Sequence, residues 1–179
     1  MKTIDSIIDD VIRVEGGYVN DKNDRGGATR WGITEKVARA SGYTGAMRDL
    51  PEATAREIYR GQYVIKPGFG QVANLSQSIA AELVDTGVNM GPAVPSGWLQ
   101  RSLNALNRQQ SDYPDIVADG KVGPATINAL RAFLSKRGVE GEKRLLALLN
   151  ALQGARYLSL AEASPSQESF LYGWLGRVA

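Results

Sequence analysis

The chain has 179 residues with 43% hydrophobic and 22% charged side chains, enough for one full core or two tightly joined halves. It contains no Cys and no His, which removes disulfides, thiolate nucleophiles, imidazole triads and the commonest zinc ligands. The net charge of +2, with its positive excess in the C-terminal half, suits an anionic polymer and is too weak and dispersed for nucleic acid.

Met1-Lys2-Thr3-Ile4-Asp5 runs directly into an amphipathic helix, so neither a secretory leader nor a membrane-spanning segment is expected. From Ile4 to Val14 the residues Ile4, Ile7, Ile8, Val11 and Ile12 recur at helical spacing, and Thr3 is placed to cap the start. Glu15 continues that apolar stripe at the helix C-terminus. Burial and the negative end of the helix dipole are both expected to raise its pKa, the condition general-acid cleavage of a glycosidic bond needs. Gly16-Gly17 stop the helix and open an irregular stretch that carries Tyr18, Asp24, Gly26-Gly27, Thr29 and Trp31 before Gly32-Ile33-Thr34. A helix end followed by a reversed loop brings Glu15 and Asp24 to opposite walls of one cleft, the arrangement of paired groups that glycoside hydrolysis uses.

Thr34 caps a short helix to about Arg39, and Leu50-Pro51-Glu52 opens another that carries Ala55, Ile58, Tyr59 and Tyr63. The two tyrosines, four apart, belong either to the core or to a sugar cleft. Lys66-Pro67-Gly68-Phe69-Gly70 reads as a connecting loop. A buried helix follows from Leu75 to about Val88, with Asp85 and Asn89 near its end; Asp85 either pairs structurally or faces the cleft. From about Ala93 a helix carries Trp98, Leu99, Leu103 and Leu106, and a polar loop leads to Asp119-Gly120-Lys121-Val122-Gly123-Pro124-Ala125-Thr126, a turn that starts the next helix. A long helix from about Glu140 to Glu162 and a final one from Gln167 to Arg177, anchored by Trp174, complete the chain. No strand pairing is expected.

Glu15-Gly16-Gly17-Tyr18, followed by Asp24, Gly26-Gly27, Thr29 and Gly32-Ile33-Thr34, resembles the signature of glycoside hydrolase family 108, the lysozyme-like N-acetylmuramidases of phage endolysins and bacteria. Glu15, Asp24 and Thr29 also look similar to the catalytic triplet of other phage lysozymes, although Thr29 comes one residue sooner after Asp24 than in that triplet. Asp85 to Pro92 resembles a further block of the family near its sugar cleft, and Asp119 to Thr126 is similar to the DG-x-x-G-P-x-T block of peptidoglycan-binding modules. The resemblance implies a mainly helical, all-α, lysozyme-like single body, with residues 1–92 catalytic and residues 93–179 a peptidoglycan-binding-like region packed on them.

On this reading the protein hydrolyses the β-1,4 bond between N-acetylmuramic acid and N-acetylglucosamine. Glu15 is the proton donor, Asp24 orients water or stabilises oxocarbenium-like charge, and Thr29 positions water or sugar. Tyr18, Trp31, Tyr59, Asp85 and Asn89 are the expected substrate-binding residues. Peptidoglycan strands are the partner, with no metal, cofactor, nucleic acid or membrane insertion. A monomer is expected, held in the host cytoplasm until a holin gives it passage. The rivals are a lytic transglycosylase on the same bond, a chitinase or chitosanase, and a non-catalytic wall-binding module.

Overall fold

A computed structural model describes residues 3–19 and 28–178. Its first helix, α1 (Ile4–Glu15), starts with a reciprocal cap in which Thr3 Oγ1 accepts from the Ser6 N–H and Ser6 Oγ accepts from the Thr3 N–H. Ile7, Ile8 and Ile12 form its buried face. Three two-residue strands follow, β1 (Tyr18–Val19), β2 (Thr29–Arg30) and β3 (Ile33–Thr34), paired antiparallel in that order. Tyr18 faces Arg30, Val19 faces Thr29, Thr29 also faces Thr34, and Arg30 faces Ile33. This sheet corrects the expectation of no strands. Two-residue strands are too short to show an alternating pattern, and the pairing of β2 with β3 comes from the Trp31-Gly32 turn between them.

Helix α2 (Glu35–Ala40) is capped by Thr34, and α3 (Glu52–Arg60) runs on into a wider π-turn at Gly61–Ile65. Arg56 pairs with Asp9 and Arg60 with Asp5, which clamps α3 along α1. A short helix α4 (Phe69–Ala73) occupies part of the segment expected to be loop; Phe69 and Val72 are wholly buried and hold it down.

The centre of the molecule is α5 (Gln77–Met90), in which every residue from Ser78 to Gly87 is buried. It packs against α1, α4, α6 (Ala93–Leu106) and α7 (Pro124–Ala163), so its middle is enclosed on every side, polar Ser78, Glu82, Asp85 and Thr86 included. Its first turn is tied to α7 by Ser76 and Ser78, whose hydroxyls donate to Glu142 at 2.7 and 2.5 Å and hold that carboxyl below the usual range. Helix α7 is interrupted at Gly138, whose φ of 57° and ψ of −152° are readily reached only by glycine. The break separates the two helices read from the sequence on either side of it.

The polar loop after α6 is fastened rather than free. The Asn104 side chain donates to Ile116 O and accepts from the Ile116 N–H, the Tyr113 hydroxyl donates to Leu103 O, and Asp112 sits among Arg108, Lys136 and Arg137. At the C-terminus, α8 (Glu168–Leu175) stacks Trp174 on Tyr157 of α7 at 5.3 Å. Among the described residues no helix is long and apolar enough to cross a membrane.

Candidate active site

Glu15 ends α1 and is exposed. The expected burial is therefore corrected: the buried face of the helix ends at Ile12, and Glu15 lies beyond it. What does approach Glu15 is the hairpin turn Trp31-Gly32. A methyl group placed at Gly32 would lie 3.0 Å from Glu15 Cβ and 3.1 Å from Cγ and would overlap the Tyr59 hydroxyl. The absence of a side chain at Gly32 lets Glu15 and Tyr59 meet.

The turn itself is demanding. Trp31 and Gly32 have φ of 54° and 71°, the left-handed pair that joins two antiparallel strands with the right twist. Glycine tolerates this; a tryptophan does not without support. The support is visible. Trp31 Nε1 donates to Leu50 O at 2.9 Å, the Arg30 guanidinium lies 5.1 Å from the ring centroid, and Trp31 O accepts from the Tyr59 hydroxyl at 3.1 Å. The turn that touches Glu15 is thus bolted to α3 and to the segment just before it.

Tyr59 is buried, and its phenol is pushed up to about 12, first by burial, then by the Glu15 carboxylate and by Tyr63. Its ring stacks on Tyr63 with centroids 5.9 Å apart. Tyr63 in turn lines a cavity of about 540 Å³ shared with Lys66, Pro92 and Lys121. Tyr59 and Tyr63 thus connect the Glu15 turn, through the interior, to a cavity lined by residues of both halves of the chain.

The other expected residues fall differently. Thr29 is half-buried in β2, two residues before the turn. Tyr18 is exposed in β1 with the Arg48 guanidinium 5.8 Å from its ring centroid. Trp31 contributes its backbone to the site, while its ring packs against the core near Gly16. Asn89 is exposed and donates to Asp85 O of its own helix at 2.6 Å. Asp85 is 3% exposed: Oδ1 accepts from Arg177 at 2.8 Å and Oδ2 from Gln153 at 3.0 Å. The expectation that it faces a sugar is corrected, because it lies inside and its oxygens hold the C-terminal segment. Asp24 lies outside the described residues.

Sequence reasoning missed Gln100, which organises the Asp119–Thr126 block. The residue is 1% exposed; its amide nitrogen donates to Asp119 Oδ1, Lys121 O and Thr126 Oγ1, and its oxygen accepts from the Gly120 N–H. A single Gln in an amphipathic helix carries no local signal for this, since its partners lie beyond a long loop.

Two mutational outcomes follow from the geometry. With Glu15 as the acid expected from the sequence, Gly32→Ala should cut kcat by about 100-fold through displacement of Glu15, while the left-handed backbone costs about 1–3 kcal/mol of stability. Unchanged kcat, read by release of reducing sugar ends, would separate Gly32 from the site. Tyr59, Tyr113 and Tyr157 all have phenols raised to about 12, chiefly by burial. Burial favours the neutral phenol, so the native state holds protons that the unfolded chain, ionising near 10, gives up. Stability should be undiminished by these groups below about pH 10 and should fall as the pH rises towards 12. Melting curves across that window should show the loss, and it should shrink in Tyr113→Phe.

The mainly helical body is that of a glycoside hydrolase acting on peptidoglycan. Residues 8–91 match the family model described as Glycosyl hydrolase 108, and residues 94–179 match that of a Predicted Peptidoglycan domain. The N-terminal region thus matches the glycosyl hydrolase 108 family, whose members are N-acetylmuramidase-type enzymes, and the chain is a peptidoglycan hydrolase of that type. The fold is similar to that in the structure of Brucella abortus SagA, with a TM-score of 0.59 and 24% identity over 98% of this chain and 88% of that one. Comparison with curated proteins gives no match.

Proposed function

We propose that Glu15 is the acid that protonates the departing glycosidic oxygen. The observation that carries this reading is the close approach of Gly32 and Tyr59 to the Glu15 stem at an exposed helix end within the matched hydrolase region. A sugar bound over the turn would cover Glu15 and strip water from its carboxyl, which favours the neutral, donating acid. Asp24 orients the attacking water or stabilises the oxocarbenium-like charge, and Thr29 holds water or sugar from β2. Tyr18 and Asn89 offer exposed surface for the flanking sugars, and Trp31 acts through its backbone.

Residues 1–92 and 93–179 serve as catalytic and wall-binding regions of one unit. The protein works as a monomeric, bacteriolytic endolysin that reaches the wall from the cytoplasm through a holin. Support for a single-chain site comes from the cavity, whose lining is drawn from both regions. Mass spectrometry of the fragments released from purified peptidoglycan tests the reaction. New reducing N-acetylmuramic acid ends are expected; anhydro-sugar ends would assign a transglycosylase, and binding without cutting would assign a wall-binding module. Expression with and without a pore-forming partner tests the route, with lysis expected only when the pore is present.

A further inference from the structure

The cavity of about 540 Å³ lies where the two matched regions meet, and its size is that of a ligand site. Gln62, Tyr63 and Lys66, on the π-turn and just after it, line it from the hydrolase region, with Pro92 at the junction of the regions. Lys121 and Val122 line it from the Asp119–Thr126 block. The two sides are locked together: Gly68 has φ +83°, and a methyl group there would stand 2.7 Å from Val122 O. Gln100 fixes the other side by gripping Gly120 and Lys121 through their backbones.

Two ammonium groups border this cavity and no carboxylate does. Among the described residues neither Lys66 nor Lys121 forms an ion pair. Asp119, outside the lining, attracts Lys121, and the N–H groups of Gln100 and Lys121 that donate to its Oδ1 keep it ionised, so Lys121 shares its charge with that carboxylate while Lys66 has no such neighbour in the lining. The cavity therefore combines apolar walls from Tyr63, Pro92 and Val122 with a rim of two ammonium groups and no carboxylate in its lining. That chemistry matches a sugar bearing a carboxylate.

We propose that this cavity is a subsite for a carboxylate carried on the muramic acid side of the wall polymer, recognised by Lys66 and Lys121. The carboxylate is either the lactyl group itself or one on the attached peptide. The proposal rests on the hydrolase reading for the direction of the strand, but its binding chemistry is measured separately from cleavage. Uncharged N-acetylglucosamine polymers offer the cavity no anion. The site thus selects peptidoglycan over chitin by charge, at a distance from the reacting bond.

The test is co-sedimentation, at low and high salt, of Glu15→Gln protein and of the same protein carrying Lys66→Gln and Lys121→Gln. The probes are intact peptidoglycan, peptidoglycan stripped of peptides so that only lactyl carboxylates remain, stripped strands with those carboxylates amidated, and chitin. Each lysine removed should weaken binding to carboxylate-bearing wall about fivefold at low salt, with the difference shrinking as salt screens it. Lys66→Arg with Lys121→Arg should restore binding, and melting temperatures confirm that each variant is folded. Weakening on intact wall alone assigns the peptide carboxylate; weakening on stripped strands as well assigns the lactyl group.

Equal binding by the lysine variants, or equal weakening on amidated strands and chitin, would overturn the proposal. Failure of the unsubstituted protein to cut peptidoglycan would instead overturn the hydrolase reading, while the sedimentation comparison would still decide the subsite.

Discussion

Glu15→Gln should lower turnover of peptidoglycan by about a thousandfold and leave the melting temperature almost unchanged. The substitution keeps the size of the side chain and removes its acidic proton, and a positioned general acid typically contributes about 10²–10⁴-fold to the rate. The side chain is exposed and, among the described residues, makes no ion pair or hydrogen bond that holds the fold, so the cost to stability should stay within about 0.5 kcal/mol. KM should change little, since a glutamine amide fills the same space beneath a bound sugar. Reducing-end assays paired with calorimetry would check both halves. A variant with more than a tenth of wild-type kcat would move the acid elsewhere in the cleft.

The second large effect is on stability and comes from the opposite half of the chain. Gln100→Met conserves volume but leaves the Gly120 N–H, the Lys121 carbonyl and the Thr126 hydroxyl without the partner that the amide supplies. Buried polar groups left unsatisfied cost about 1–3 kcal/mol each, and some relax towards water here because Gly120 and Lys121 lie near the surface. A total of roughly 3–5 kcal/mol is expected, lowering the melting temperature by about 10 °C in a protein of this length. The loss should also reach function. Lys121 sits on the turn that Gln100 holds, so binding to anionic wall should weaken before the protein unfolds. A melting temperature within about 2 °C of wild type would show that the turn keeps its own shape.

The Asp119–Thr126 block thus has a structural explanation for its residue types. Asp119 accepts from Gln100 and from the Lys121 N–H, which together hold its carboxyl below the ordinary range. Gly120 has φ +73° and passes beside Ala93, where a methyl group would lie 3.1 Å from the carbonyl oxygen. Pro124 begins α7, and Thr126 is buried against Gln100. The block builds a turn that fits α6, and the lysine it carries is then presented to the cavity.

The helices were legible in the sequence because their signals are local and repeated. The apolar spacing of Ile7, Ile8 and Ile12, the cap at Thr3 and the proline at the start of α7 each act within a turn or two of chain. The motif around Glu15 was legible for a similar reason: its glycines and polar residues stand out against an amphipathic helix. The exposure of Glu15 was not, because helical phase says which way a residue points but not where the opposing core ends. The fate of Asp85 was likewise undecided by position. Only the return of Gln153 and Arg177 from the far end of the chain consumed its oxygens.

The three tiny strands, the contact of Tyr59 with the Trp31-Gly32 turn and the cavity between Lys66 and Lys121 are likewise products of chain folding. Each depends on which distant segments meet, and a close approach of this kind leaves no periodic trace in either segment. Composition and local pattern determined a helical protein whose chemistry rests on carboxylates. The tertiary packing of α3, α6 and the two glycine turns decided which side chains stand around Glu15 and around the cavity.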